Sequence, residues 1–320
     1  MNTIPLIDLQ EWRGGSTAQR VQLAGRVDRA LQESGFLMIS GHEIDPRLRA
    51  RIRAAGSKFF TSSPEVKHRY RTRVGGRGWI PSGAEANAYL EQSPGPADLK
   101  ETYTSGWDDH STGDQAVDDE WFAPNVWPGE IPEFERLCVS YTQQMRALAQ
   151  ELLTIFATAL DLDPDWFTSR TDRAPHSFNL NRYPAMTETG TALEGQFRIA
   201  PHTDFGVITI LDRQAGHGGL QVDTGDSSWT DAPFVDDAFT INIGDLMARW
   251  TGDRWRSTRH RVLPPSELAP QEELISLIFF FEANHDAVIE SFDPPIGRTH
   301  NYRSVTAADY LRARYAAITI

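Results

Sequence analysis

Pro201-His202-Thr203-Asp204-Phe205-Gly206-Val207-Ile208-Thr209-Ile210-Leu211 is the stretch on which the fold turns. His202 and Asp204 stand at i and i+2, and on a β-strand two such side chains point to the same face. The run therefore predicts an imidazole and a carboxylate side by side, leading into a buried strand over Phe205–Leu211. A third side chain of ligand type, His260, follows after 55 intervening residues, within a second predicted strand, Arg256–Val262. Two histidines and one carboxylate on one face of a metal leave its remaining positions open, the arrangement of mononuclear Fe(II) centres that bind O2. The bare H-x-D triplet is weak. The chain has 9 histidines and 44 acidic residues, so chance pairs occur, and most histidines are hydrogen-bonded structural residues. The surrounding text has to decide.

Working outward, the carboxyl-terminal half is built of short β-rich runs broken by Gly, Pro and Asp: Ser177–Tyr183, Phe205–Leu211, Gly219–Val222, Phe239–Ile243, Arg256–Val262 and Ile275–Phe281. Strands at this spacing predict a sandwich or jelly roll. The amino-terminal half reads differently. Ser16 and Gln19 have capping-box spacing ahead of a helix, Gly35–Ser40 reads as a short buried strand, and Asp45-Pro46 opens a second helix to Phe60. Residues 73–130 lack periodicity and are read as long ordered loops. From Pro132 to Leu160 apolar residues recur at helical spacing, a stripe that needs a sheet to pack on. The expected class is mainly β with flanking α-helices: an α/β accessory region over 1–165 and a jelly-roll core with a C-terminal helix over 166–320. No linker or repeat separates the two, so they are expected to fold as one body.

Composition narrows the function classes. A formal charge of −13 over 320 residues repels nucleic-acid phosphate and anionic membranes, leaving a small molecule as the expected partner, with no protein partner evident. An anionic ligand would need a local arginine. Cys138 is the one cysteine, which excludes an internal disulfide, and its helical apolar setting predicts a buried thiol. The start of the chain lacks signal-peptide features and no apolar run approaches the ~20 residues of a membrane span, so a cytoplasmic protein is expected.

The central stretch, followed in order by Gly218-Gly219-Leu220-Gln221-Val222, Asn242-Ile243-Gly244-Asp245 and Ser257-Thr258-Arg259-His260-Arg261-Val262, closely resembles the isopenicillin N synthase-like, Fe(II)/2-oxoglutarate-dependent dioxygenase family. Upstream, Asn181-Arg182-Tyr183-Pro184 resembles that family's N-x-Y-P signature. Ile4–Asp8, Gly35-Phe36-Leu37, Gly78-Trp79-Ile80-Pro81 and Lys100-Glu101 resemble its accessory region, so the likeness spans nearly the whole chain. The resemblance implies a distorted double-stranded β-helix holding Fe(II) on His202, Asp204 and His260. It also implies 2-oxoglutarate and O2 as co-substrates, with Asn181, Tyr183 and Ser276 holding the oxo acid. Oxidative decarboxylation to succinate then drives hydroxylation, desaturation or cyclisation of a small molecule, as in specialised metabolism.

One motif departs from the family. Its R-x-S pair, whose arginine receives the far carboxylate of 2-oxoglutarate, is here Leu274-Ile275-Ser276. Removing one member of a buried ion pair costs about 3–5 kcal/mol, or roughly two to three orders of magnitude in affinity. Either another arginine takes its place, or a different oxo acid is used, or the substrate supplies all electrons, as in isopenicillin N synthase itself. Arg182, Arg256 and Arg261 are candidates, but Arg198, which shares the parity of His202, is the choice. A non-oxidative metal enzyme and a binding protein on the same fold are the remaining alternatives. Phe205 and Leu220 are expected to flank the pocket or the core. Trp79, Tyr89 and Tyr103 could stack on substrate or pack loops, and Lys100 and Glu101 are open. His176, His217, His285 and His300 are taken as ordinary polar residues, and Asn242 and Asp245 as residues that fix a strand end and turn.

Overall fold

The computed structural model describes residues 4–85, 87, 95–217, 219–225, 228–298 and 302–318; Tyr89, Gly218 and His300 lie outside them. Its strands are β1 (Leu6–Asp8), β2 (Phe36–Ser40), β3 (Gly78–Ile80), β4 (Glu101–Gly106), β5 (His176–Tyr183), β6 (Ile199–His202) and β7 (Ile208–Asp212). The remainder are β8 (Leu220–Asp223), β9 (Trp229–Asp231), β10 (Phe239–Ile243), β11 (His260–Val262), β12 (Leu274–Phe281), β13 (Val288–Ile289) and β14 (Val305–Thr306). The larger sheet runs β1-β2-β10-β7-β12-β5-β4-β3, and the smaller β6-β11-β8-β9. Strands from before residue 165 thus occupy both ends of the large sheet, with strands of the carboxyl-terminal half between them.

The helices are α1 (Leu9–Gly14), α2 (Thr17–Glu33), α3 (Pro46–Phe60), α4 (Pro64–His68), α5 (Gln115–Trp121), α6 (Phe134–Ala159), α7 (Met186–Thr189), α8 (Asp245–Trp250) and α9 (Ala307–Ile318). Helix α2 starts on the Ser16/Gln19 capping box, which satisfies two of the amides a helix start leaves free. Asp45 caps α3 ahead of Pro46. Helix α6 buries the stripe Leu137, Tyr141, Met145, Leu148, Leu152 and Phe156, packing against α2, α3 and the large sheet. Each such side chain contributes about 1.5–3 kcal/mol by leaving water. Cys138 is buried within this stripe.

The large sheet is a wall with two different faces. On β12 the odd positions Ile275, Leu277, Phe279 and Phe281 enter the helix-backed core, whereas Ile278 and Phe280 face a cavity. On β5, Phe178 and Leu180 face the core, and Ser177, Asn179 and Asn181 face the cavity. Alternation produces both faces from one continuous run.

Three expectations need correction. Residues 73–130 are not all loop, since they contain β3, β4 and α5. Strand β4 escapes an apolar pattern because its even positions, Thr102 and Thr104, join the polar wall beside Asn181 and Asn179. Second, His202 and Asp204 do not share a strand. Strand β6 ends at His202, and β7 begins only at Ile208. The carbonyls of Asp204, Phe205 and Gly206 accept instead from Asp245 and Leu246 amides at the start of α8 (2.8, 3.2 and 3.1 Å), which takes this turn out of the ladder. Gly206 and Gly244 allow the approach, because a Cβ on Gly244 would lie 2.4 Å from the Gly206 carbonyl oxygen. Third, β11 starts at His260 rather than at Arg256.

Candidate metal centre

Strand pairing puts His260 opposite His202 across β11 and β6. The two rings lie 4.3 Å apart between centroids, and Asp204 Oδ1 stands 3.7 Å from His202 Nε2 and 3.8 Å from His260 Nε2. Among the described residues these three form the group that can hold a metal ion, one ligand atom each within 4.8 Å of the others.

The back side of each group is occupied, which fixes the atom left free. His202 Nδ1 lies 2.8 Å from the Ala200 carbonyl oxygen and His260 Nδ1 lies 3.1 Å from that of Thr258. Each Nδ1–H donates to its carbonyl, so each Nε2 carries the lone pair a metal takes. Asp204 Oδ2 accepts from Thr209 Oγ1 and Asn242 Nδ2, both at 2.6 Å, leaving Oδ1 to face the imidazoles. Burial, reinforced by His260, lowers His202 to about 4, the neutral state a ligand needs. Burial alone would raise Asp204, but the imidazoles of His260 and His202 and the two hydrogen bonds bring it below the ordinary carboxylate value. Asn242 therefore does more than end a strand. Asp245 also does more: it accepts from Ser257 (2.6 Å) and Tyr310 (2.8 Å) while its amide holds the Asp204 carbonyl.

His202 and Asp204 of the triad border a cavity of about 140 Å³. Its walls include Phe205, Gly206, Asn179, Asn181, Thr104, Ile278, Phe280, Lys100, Glu282 and Tyr315 of α9. Leu220 is instead part of a small separate core with Phe36 and Val222. Trp79 and Tyr103 pack and do not face the cavity: Trp79 donates to Glu101 (2.7 Å), and Tyr103 sits among Phe59, Phe134 and Trp127. His176 is buried between Trp107 and Phe279.

The candidate arginines separate cleanly. Arg182 is engaged by Glu101, Glu188 and Glu273 on the far side of β5. Arg261 donates to Gln221 and lies over Trp229 (4.1 Å). Arg256 lines two other clefts, neither of which any triad side chain lines. Arg198 is 0% exposed, 5.7 Å from the Tyr183 ring. Its ion pair with Glu272 is long at 3.6 Å, and its Nε and Nη1 have no hydrogen-bond partner among the described residues. Tyr183 pairs in register with Leu274, and its hydroxyl lies beside Asn181 and Ser276. Lys100, one residue beyond the Glu101–Arg182 pair, falls on the same row. Burial lowers its ammonium to about 7, and it meets Glu85 and donates to Thr102 Oγ1 (3.1 Å).

Sequence reading missed Thr209, Glu282 and Tyr315. Strand parity carried a signal for Glu282, six residues beyond Ser276 on the same face. Nothing local marked Tyr315.

Comparison with known proteins agrees with this geometry. Residues 4–130 match the family described as non-haem dioxygenase in morphine synthesis N-terminal, and residues 175–283 match the 2OG-Fe(II) oxygenase superfamily. The chain is 40% identical to validamycin A dioxygenase of Streptomyces hygroscopicus subsp. limoneus, over 92% of this chain and 81% of that one. It is 32% identical to the 2-oxoglutarate-dependent dioxygenase traH of Penicillium crustosum, over 81% and 79% of the respective chains. A full-length Neurospora crassa protein solved in complex with alpha-KG (2-oxoglutarate) and thymine superposes with a TM-score of 0.84 at 29% identity, covering 98% of this chain and 96% of that one. These matches extend from the strands that carry the triad to the accessory region wrapped around them, and the chain belongs to the 2-oxoglutarate- and Fe(II)-dependent oxygenase superfamily.

Proposed function

We propose that this oxygenase acts on a small polar molecule in the cavity beside the triad, with Fe(II) held by Nε2 of His202, Nε2 of His260 and Oδ1 of Asp204. The observation that carries the reading is the orientation of those three atoms, each turned inward because the other polar atoms of its side chain are already hydrogen-bonded. Iron with 2-oxoglutarate supplies O2-dependent oxidation of a substrate C–H bond, with release of succinate and CO2.

The chain's own residues bind and orient. Thr209 and Asn242 hold Asp204 to a single free oxygen. Arg198 receives the far carboxylate of 2-oxoglutarate where Leu274 cannot, with Tyr183, Asn181 and Ser276 beside it. Its unpartnered Nε and Nη1 support this choice, because buried guanidinium donors are costly to leave unmade. Lys100 suits the role less well, since Glu85 already balances its charge. Phe205, Ile278 and Phe280 give the cavity apolar walls that exclude water.

The test is optical. Fe(II) and then 2-oxoglutarate are added without oxygen, and the visible spectrum is recorded. A charge-transfer band that saturates with 2-oxoglutarate in the native protein and is lost in Arg198→Leu supports the assignment. A band of unchanged affinity in that variant overturns Arg198. The relative's name makes validamycin A the first compound to offer in an oxygen-uptake assay.

A further inference from the structure

Glu282 lies just past β12, on the cavity face that carries Ile278 and Phe280, and is 6% exposed. Its Oε2 is shielded from solvent and meets no hydrogen-bond partner among the described residues. The charge acting on it is that of Asp204, of like sign. Iron would not supply the missing cation, because Asp204 and a dianionic oxo acid offset its charge. The fold nevertheless makes room for this carboxylate: a Cβ on Gly206 would come within 2.2 Å of Oε2. Glu282 is therefore seated against the turn that carries Asp204, beside the position where substrate meets the metal.

The same wall is short of donors. Asn179 Oδ1 and Thr104 Oγ1 are buried, line the cavity and have no partner among the described residues. Lys100 cannot serve them while it is held by Glu85 and Thr102. A buried unpaired carboxylate is tolerated where a ligand completes it. Acceptors in this number ask for a ligand rich in N–H and O–H groups, and the carboxylate asks for one that is positively charged.

We infer that Glu282 selects the substrate by receiving a protonated amine, with Asn179 and Thr104 accepting from hydroxyls on the same molecule. The substrate class is a small hydroxylated amine, and the ammonium–carboxylate contact sets which C–H faces the metal. The inference rests on the proposed role of this cavity as the oxygenase's substrate site. Burial, with the Asp204 charge, pushes the Glu282 carboxyl up to about 8 in the ligand-free chain, and an ammonium against it would draw it back to the ionised form.

The experiment offers matched probes to the anaerobic Fe(II)–2-oxoglutarate protein: glucosamine against glucose, and aminocyclohexanol against cyclohexanediol. Binding is read from the change in the charge-transfer band and, independently, by calorimetry. In the native protein the amine of at least one pair should bind at least about tenfold more tightly than its neutral partner. Glu282→Gln should erase that preference, and Glu282→Asp, which keeps the charge, should retain part of it. Equal binding of amine and neutral partner, no binding by any probe, or a preference that survives in Glu282→Gln overturns the inference. Absence of the band in the native protein marks failure of the iron and oxo-acid reading instead, and calorimetry still reports the amine preference.

Discussion

The polar wall of the large sheet ends differently at its two extremes. At the Leu274 end a buried guanidinium, Arg198, reaches Glu272 at 3.5 and 3.6 Å, and its Nε and Nη1 have no hydrogen-bond partner among the described residues. Just past the other end of β12, Glu282 is a buried carboxyl group whose Oε2 has no hydrogen-bond partner among the described residues and whose neighbouring charge, Asp204, is of like sign. At the candidate triad, His202 Nδ1, His260 Nδ1 and Asp204 Oδ2 are already hydrogen-bonded, which leaves one ligand atom of each side chain free. The contrast teaches that unmet polarity here is sorted by ligand: one end has guanidinium donors suited to an anion, and the other has a carboxyl that keeps its proton up to about 8 unless a cation draws it off. Each unmet group is expensive alone and inexpensive once its own partner arrives.

The largest effect should come from the centre that joins the two ends. His202→Ala or His260→Ala is expected to abolish both iron retention and O2 uptake, read by metal analysis and an oxygen electrode; full activity in either variant would remove the triad from the account. At the cationic end, Arg198→Leu should weaken 2-oxoglutarate binding by about two to three orders of magnitude, measured by titrating the anaerobic band. Adding Leu274→Arg to that variant should recover part of the loss, since the family's own position is then filled; no recovery would mean that the two sites do not serve the same carboxylate.

A smaller effect is expected behind Asp204. Asn242→Ala removes a hydrogen bond to Oδ2 and should lower iron affinity about 10- to 100-fold while leaving 2-oxoglutarate affinity of the iron-loaded protein nearly unchanged. The smallest concerns the anionic end. The folded chain keeps the Glu282 proton up to about 8, whereas the ordinary value is 4.5. Between those values the folded state holds more protons than the unfolded one, so its stability falls as pH rises through the window. Glu282→Gln removes that loss, and its advantage in the Tm of metal-free protein should grow by about 2–5 °C between roughly pH 5 and pH 9. A constant difference across that range would show that Glu282 is not the group responsible.

Much of this was legible in the sequence where side-chain period and backbone agreed. The α6 stripe, the Ser16/Gln19 cap and the alternation on β5 each pointed to the element the structure contains. Strand β4 was not legible, because a strand that turns threonines toward a polar cavity loses the apolar alternation that marks a strand. The H-x-D geometry was right in outcome and wrong in cause. The two side chains meet because α8 amides gather the turn after His202, a contact about forty residues away in sequence. Leu274 directed attention to other arginines, and parity singled out Arg198, which the structure places fully buried beside Tyr183. Tyr315 was beyond reach, since only the docking of α9 brings it to the cavity.

That docking has a further consequence. Tyr310 and Arg314 of α9 reach Asp245 at 2.8 and 3.4 Å, Arg314 also reaches Thr203 at 3.2 Å, and the Asp245 amide holds the carbonyl of Asp204. All three candidate ligands precede α9 in the chain, so α9 adds a second brace, through Asp245 and Thr203, to a turn that the α8 amides already hold. A chain that lacked α9 would still carry every candidate ligand, on a turn held by the α8 amides alone.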